Sequence, residues 1–148
     1  GAKSARVICP ITDPFVRHHG ALGSFVRVYA KDPANIEAMI DYISGLPGIE
    51  DTLSRQQAAI KLGLPEDREA DIVVISSESC VLGSCTSEHD LSTVGDRPLR
   101  SHGGYSEQSV PFMLSHPMSE KYLQYAASTR LRNFDIFDFA FNGVRENN

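Results

Sequence analysis

The sequence predicts an α+β module over residues 1–96, a mainly antiparallel sheet with its helices on one face, followed by a segment, 97–148, that belongs to a larger core. Three observations carry this prediction. Short apolar runs, punctuated by Gly, Pro and Asp, flank one amphipathic stripe, Ile36, Met39, Ile40 and Ile43. The run Ile72-Val73-Val74-Ile75 is apolar without a break, which suits a strand covered on both faces. After Arg97 the texture changes, and Phe134, Phe137, Phe139 and Phe141 crowd the end of the chain.

The elements follow in order. Arg6 to Ile11 reads as a strand, stopped by Thr12-Asp13-Pro14. Val16 to Gly23 is a turn-rich loop containing His18-His19-Gly20. Ser24 to Ala30 alternates, with Val26, Val28 and Ala30 on one face and Phe25, Arg27 and Tyr29 on the other. Asp32-Pro33 opens a helix, the Asp as cap and the Pro in the first turn, and Gly45 and Pro47 end it. Ile49 to Leu53 is a strand, and Arg55 to Leu62 a short helix closed by Gly63 and Pro65. Asp71 to Ser76 is a strand, and Val81-Leu82-Gly83 adds a further edge. In the second segment a strand is expected at Val110 to Leu114 and a helix near Ser119 to Ala127. Asn133 caps a last helix with Phe134, Phe137, Ala140 and Phe141 along one side, ending at Asn142-Gly143. A tail of about 50 residues cannot bury four phenylalanines by itself.

The chain has 148 residues, 41% hydrophobic and 22% charged, with a formal charge of -5. This composition is that of a globular protein, and it implies no basic surface for nucleic acid. No apolar run reaches the length of a membrane span, and no signal peptide is present. The three cysteines, Cys9, Cys80 and Cys85, form no even framework, so the cytoplasm is the expected compartment. Cys80 and Cys85 lack the spacing of a zinc knuckle. The chain does not begin with Met and opens directly into a strand pattern, as a piece of a longer polypeptide would.

The most informative stretch is Pro98 to Val110, in which His102 stands immediately before Gly103-Gly104. Glycines beside a histidine bring the backbone close to whatever the imidazole touches. An imidazole on such a loop suits a transition metal. The other histidines read as structural. His18 and His19 are adjacent, so their side chains diverge and cannot both reach one ion; a minority reading has Arg17 or His18 reaching towards a substrate carboxylate. Glu88-His89-Asp90-Leu91 caps a loop, and His116 precedes Pro117. Arg100 can bind an anion, since guanidinium matches phosphonate and carboxylate oxygens, or can form a local salt bridge.

Three stretches carry a resemblance. They are Ile11-Thr12-Asp13-Pro14 with His18 to Phe25, then Ser87 to Ser92, and then Leu99 to Phe112 followed by Leu131 to Phe137. The run Leu99-Arg100-Ser101-His102-Gly103-Gly104 is the most specific, and it resembles the last metal-ligand segment of the zinc hydrolases of the alkaline phosphatase superfamily. The resemblance implies a catalytic α/β core carrying two zinc ions and a threonine nucleophile, with a cap domain inserted before the last ligand. It maps His102 onto that ligand, residues 1–96 onto the cap, and 97–148 onto the C-terminal segment of the alkaline-phosphatase-like core. The nucleophile and the upstream ligands have no counterpart here, so the chain alone is expected to be inactive and to need the missing N-terminal core as its partner. The implied substrate is a small phosphonate, split at its carbon–phosphorus bond to acetate and phosphate. Arg17, His18 and Arg100 are the substrate-binding candidates, and a homodimer stays open.

Other classes are not excluded by the residues. The chain could serve another phosphonate or phosphodiester hydrolase of the same superfamily. An independent α+β module that senses a small ligand needs no metal. A cysteine hydrolase would pair Cys85 with His102 or His89, but Cys85 lies in no nucleophile-like turn before a helix.

Overall fold

A computed structural model describes residues 4–9, 23–83 and 102–145. They form two compact units, Gly1–Gln108 and Ser109–Asn148.

The first unit is built on four strands, β1 (Ala5–Ile8), β2 (Phe25–Ala30), β3 (Ile49–Ser54) and β4 (Ile72–Ser76), in the spatial order β1-β2-β4-β3. Every neighbouring pair is antiparallel, as the sequence predicts. Since β2 and β3 both run antiparallel to β4, they point the same way, and helix α1 (Ile36–Ser44) carries the chain from one to the other. The last strand then inserts between them, a split βαβ arrangement. Val26 faces Val74 and Val28 faces Ile72 across the central pair.

Helix placement differs from expectation. Ile72 and Val74 join Val26 and Val28 on one face of the sheet, where Ile36, Met39, Ile40 and Ile43 of α1 cover them. Val73 and Ile75 join Leu53 on the opposite face, where Ala58 and Leu62 of α2 (Arg55–Leu62) pack. The two helices therefore lie on opposite faces, not on one. The reason lies in β4. Successive strand residues point to opposite sides, so four consecutive apolar residues present two dry faces, and each needs a cover. All of β4 is buried.

Local chemistry fixes the helix ends. Asp32 accepts from the Ala34 N–H at 3.0 Å and starts a short 3-10 turn at Pro33 that leads into α1. Ser54 and Gln57 form a reciprocal capping box at α2, and Gly63 in the left-handed region closes that helix. Asp71 fastens strand to helix, accepting from the Ala30 N–H at 2.9 Å and from Arg55 at 2.7 Å. Arg27 binds Glu69 through two hydrogen bonds, 2.5 and 2.9 Å, and Glu69 also accepts from the Ala70 N–H. Burial alone pushes the Glu69 carboxyl up, but the Arg27 guanidinium and the Ala70 amide outweigh it and hold the group below the usual glutamate range.

The second unit contains α3 (Glu120–Ser128) and α4 (Asp135–Asn142). Pro117 to Ser119 run beside Gly143 to Arg145, with the Ser119 N–H donating to the Gly143 carbonyl at 2.8 Å. Phe139 is the buried centre, its ring edge-on to Phe112 at 5.1 Å and to Tyr122 at 5.0 Å. Phe134, Phe137 and Phe141, the side of α4 that the sequence singles out, are 56%, 66% and 82% exposed within this chain. The strand expected at Val110 to Leu114 does not form. The described residues of the second unit contain no strand, and Val110 and Met113 are exposed. Asn133 does not cap α4 either; the Asp135 carboxylate accepts from the Arg132 N–H at 2.6 Å and supplies the closure instead. Among the described residues no helix is long and apolar enough to cross a membrane.

Candidate functional site

His102 begins a turn that is built into the edge of the first unit. Just before β2, Gly23 exchanges two backbone hydrogen bonds with Leu82, at 3.1 and 2.7 Å. The expected edge at Val81 to Gly83 is thus a single bridge rather than a strand. The next residue, Ser24, donates its N–H to the His102 carbonyl at 2.8 Å and accepts from the Ser76 N–H at 3.0 Å. The backbone of His102 is therefore tied to the ends of the two central strands.

The two glycines then have different duties. Gly103 has φ +92°, which an L side chain adopts only under strain. Gly104 has ordinary dihedrals but lies so close to Ser24 that an added Cβ would stand 3.0 Å from the Ser24 Cβ. The Gly104 N–H donates to the Glu107 carboxylate at 2.7 Å, and a 3-10 turn from Tyr105 to Glu107 follows.

Tyr105 returns the turn to the sheet. Its ring packs against the Leu53, Ala58, Val73 and Ile75 cluster, and its hydroxyl donates to Asp51 on β3 at 2.6 Å. Lys61 of α2 donates to the same Asp51 oxygen at 2.5 Å and stands 4.9 Å from the centre of the Tyr105 ring. Burial pushes the Asp51 carboxyl up, yet the hydrogen bonds from Lys61 and Tyr105 dominate, and its pKa is lowered. Burial, and then the bond to Asp51, raise the Tyr105 phenol, so it stays a proton donor at neutral pH.

The His102 side chain itself is exposed and has no hydrogen-bond partner among the described residues. The turn thus presents one imidazole on an ordered backbone. Zinc takes three or four protein ligands. Among the described residues no group of three His, Cys, Asp or Glu side chains comes together. The donors fit one ligand position of a metal site and not a whole one.

Arg17, His18 and Arg100, the substrate-binding candidates, lie outside the described residues, as do His19, Cys85, His89 and Asp90. His116 is exposed and bonded through Nδ1 to the Ser115 hydroxyl at 3.0 Å. Burial pushes the Cys9 thiol up, away from nucleophilic use. In the second unit, Lys121, Tyr122, Tyr125 and Asp138 line an open hollow of about 330 Å³. Sequence reasoning missed Ser24, Asp51, Lys61 and Tyr105 as supports of the turn. Tyr105 had a visible signal, standing directly after the Gly-Gly pair. Asp51 and Lys61 had none, because only the folded chain brings them to Tyr105.

No protein-family model matches the chain. Over 28 residues, 19% of this chain and 39% of the relative, it is 75% identical to a phosphonoacetate hydrolase of Penicillium oxalicum. Crystal structures of the phosphonoacetate hydrolase of Sinorhizobium meliloti 1021 match far more of it. The complex with phosphonoformate superposes with a TM-score of 0.68 at 42% identity, covering 93% of this chain and 32% of that one. The complex with phosphonoacetate gives 0.67 at 42% identity, over 92% and 32%. Identity at this level across nearly the whole chain reflects common descent and not a shared fold alone; the chain belongs to the phosphonoacetate hydrolase family and spans about a third of the length of these solved relatives.

Proposed function

We propose that this chain is part of a zinc-dependent phosphonoacetate hydrolase, in which it supplies the α+β cap and the last segment of an alkaline-phosphatase-like core. The observation that carries the reading is the 42% identity, over 92% of the chain, to an enzyme solved with phosphonoacetate bound. His102 is the metal ligand within this chain. Its exposed imidazole and its tied backbone support that role.

The chemistry follows from the substrate. Phosphonoacetate carries a doubly charged phosphonate and a carboxylate at neutral pH, so attack at phosphorus requires neutralisation of charge. When bound, zinc would supply that neutralisation and would activate the attacking oxygen. His102 would contribute an imidazole nitrogen, and the turn behind it holds the backbone that carries the ring. Arg100, Arg17 and His18 are the candidates for the phosphonate and carboxylate oxygens, through charge-assisted hydrogen bonds. The attacking oxygen would form its bond to phosphorus as the carbon–phosphorus bond breaks; the departing carbon keeps the electron pair and takes up a proton to leave as acetate, and water then displaces the phosphoryl group from that oxygen as phosphate. The threonine nucleophile and the other ligands belong to the remainder of the enzyme. The exposed Phe134, Phe137 and Phe141 support this, since such a face is buried when the rest of a core covers it. Alone, the chain has no hydrolase activity and holds zinc weakly, because one ligand position cannot retain the ion. A cytoplasmic location rests on the cysteine usage.

The test is His102→Ala in the complete hydrolase. Zinc content by plasma emission and phosphate release from phosphonoacetate are measured together. Loss of at least one zinc equivalent, with turnover reduced by roughly 10²-fold or more, is expected for a lost first ligand. Unchanged zinc and turnover would sink the assignment.

A further inference from the structure

The geometry points to Tyr105 and Asp51 as the positioning pair for His102, so that the sheet of the α+β module sets where this ligand stands. The inference rests on the reading of His102 as a metal ligand and goes beyond it, by naming what holds the ligand in place.

Three ties act on the turn. The Ser24 N–H to His102 carbonyl bond fixes one end of it, and the Gly104 N–H to Glu107 carboxylate bond closes it on itself. Neither determines the angle at which the turn leans on the sheet. Tyr105 does so. Its ring enters the cluster under β3, β4 and α2, and its hydroxyl meets Asp51 at 2.6 Å. Lys61 holds the same carboxylate oxygen at 2.5 Å from the helix side. The anchor is thus itself braced by two elements, β3 and α2.

Packing alone does not account for this arrangement. A phenylalanine would fill the same apolar space, so the hydroxyl and its carboxylate acceptor add direction rather than bulk. Two residues, Gly103 and Gly104, separate Tyr105 from His102, three peptide steps that span about 10 Å at most. A shift of the Tyr105 ring therefore moves the backbone that carries the imidazole. A metal ligand must be held to about 0.5 Å, and supporting residues one layer out govern affinity through that requirement. Tyr105 and Asp51 touch neither metal nor substrate in this account; they act through His102.

The experiment uses the complete hydrolase and zinc as the probe, with affinity read by competition against a chromophoric chelator and folding read by thermal melting. Tyr105→Phe and Asp51→Ala are expected to weaken the affected zinc site about tenfold. Asp51→Asn, which keeps an acceptor oxygen for the Tyr105 hydroxyl, should recover much of that affinity. Arg27→Met, in the same unit but away from the turn, should lower the melting temperature and leave zinc affinity alone. Amides of residues 102–108 should exchange faster in Tyr105→Phe. Undiminished zinc affinity in Tyr105→Phe and Asp51→Ala, while His102→Ala loses zinc, overturns the positioning role and spares the ligand. An equal loss in Arg27→Met overturns it as well, since affinity would then track general stability. Retention of zinc in His102→Ala overturns the ligand reading, and the positioning role with it.

Discussion

The N–H of Ser24 donates to the carbonyl of His102 across 2.8 Å, joining the first residue before the central strand β2 to a histidine on a tied turn. Gly104 makes that contact possible by leaving room for the Ser24 side chain. The ligand candidate is thus an extension of the sheet and not a free loop.

The glycines give the first prediction. Gly103→Ala forces a Cβ into φ +92°, and Gly104→Val drives side-chain atoms into Ser24. Each should cost about 1–3 kcal/mol of stability in the first unit. Urea unfolding followed by circular dichroism checks this. A cost within a few tenths of a kcal/mol for both would show that the turn moves freely, contrary to its ties.

Coverage of β4 on both faces gives the second. Ile72→Ala opens the α1 face and Ile75→Ala the α2 face, and both side chains are almost fully buried. Losses of about 2–5 kcal/mol are expected for each. If Ile75→Ala were nearly neutral, the second face would not be packed as described.

Acid stability gives the third. The folded pKa of Glu69 is lowered, as is that of Asp51. Their contribution to stability is complete above the ordinary carboxylate values of about 4, and is lost as pH falls through the lowered folded values. Unfolding midpoints should therefore decline as pH falls from about 4 downwards. In Glu69→Gln the decline should be shallower, from a lower starting stability. Parallel pH profiles for the two proteins would remove Glu69 as a contributor.

The phenylalanines give the fourth. Phe139→Ala removes the buried centre of the second unit and should cost about 3–5 kcal/mol there. Phe137→Ser and Phe141→Ser should barely change the stability of that unit, and should reduce dye binding to exposed apolar surface by the isolated chain. In the complete enzyme the same two substitutions should destabilise, as the proposed cover of this face by the rest of the core requires. Equal effects in both settings would show that the face has no cover.

Residue order alone determined the places of the four strands of the sheet, α1 with its stripe, α2 to the residue, and the antiparallel pairing. These depend on neighbours in the chain: alternation, capping by Asp32 and Ser54, and closure at Gly63. The importance of the His102-Gly103-Gly104 run was legible for the same reason, since a glycine pair beside a histidine is a local pattern. Tertiary structure decided what depends on distant partners. It put α1 and α2 on opposite faces because both sides of β4 required cover, although the unbroken run at 72–75 already carried that signal. It left Val110 to Leu114 without a ladder, since apolar residues make a strand only where an edge exists to pair with them. It gave the inward position on α4 to Phe139, because α3 and Phe112 supply edges on that side alone. And it joined Tyr105 to Asp51 and Lys61, a contact that no spacing in the chain encodes, because it exists only once β3, α2 and the turn have converged.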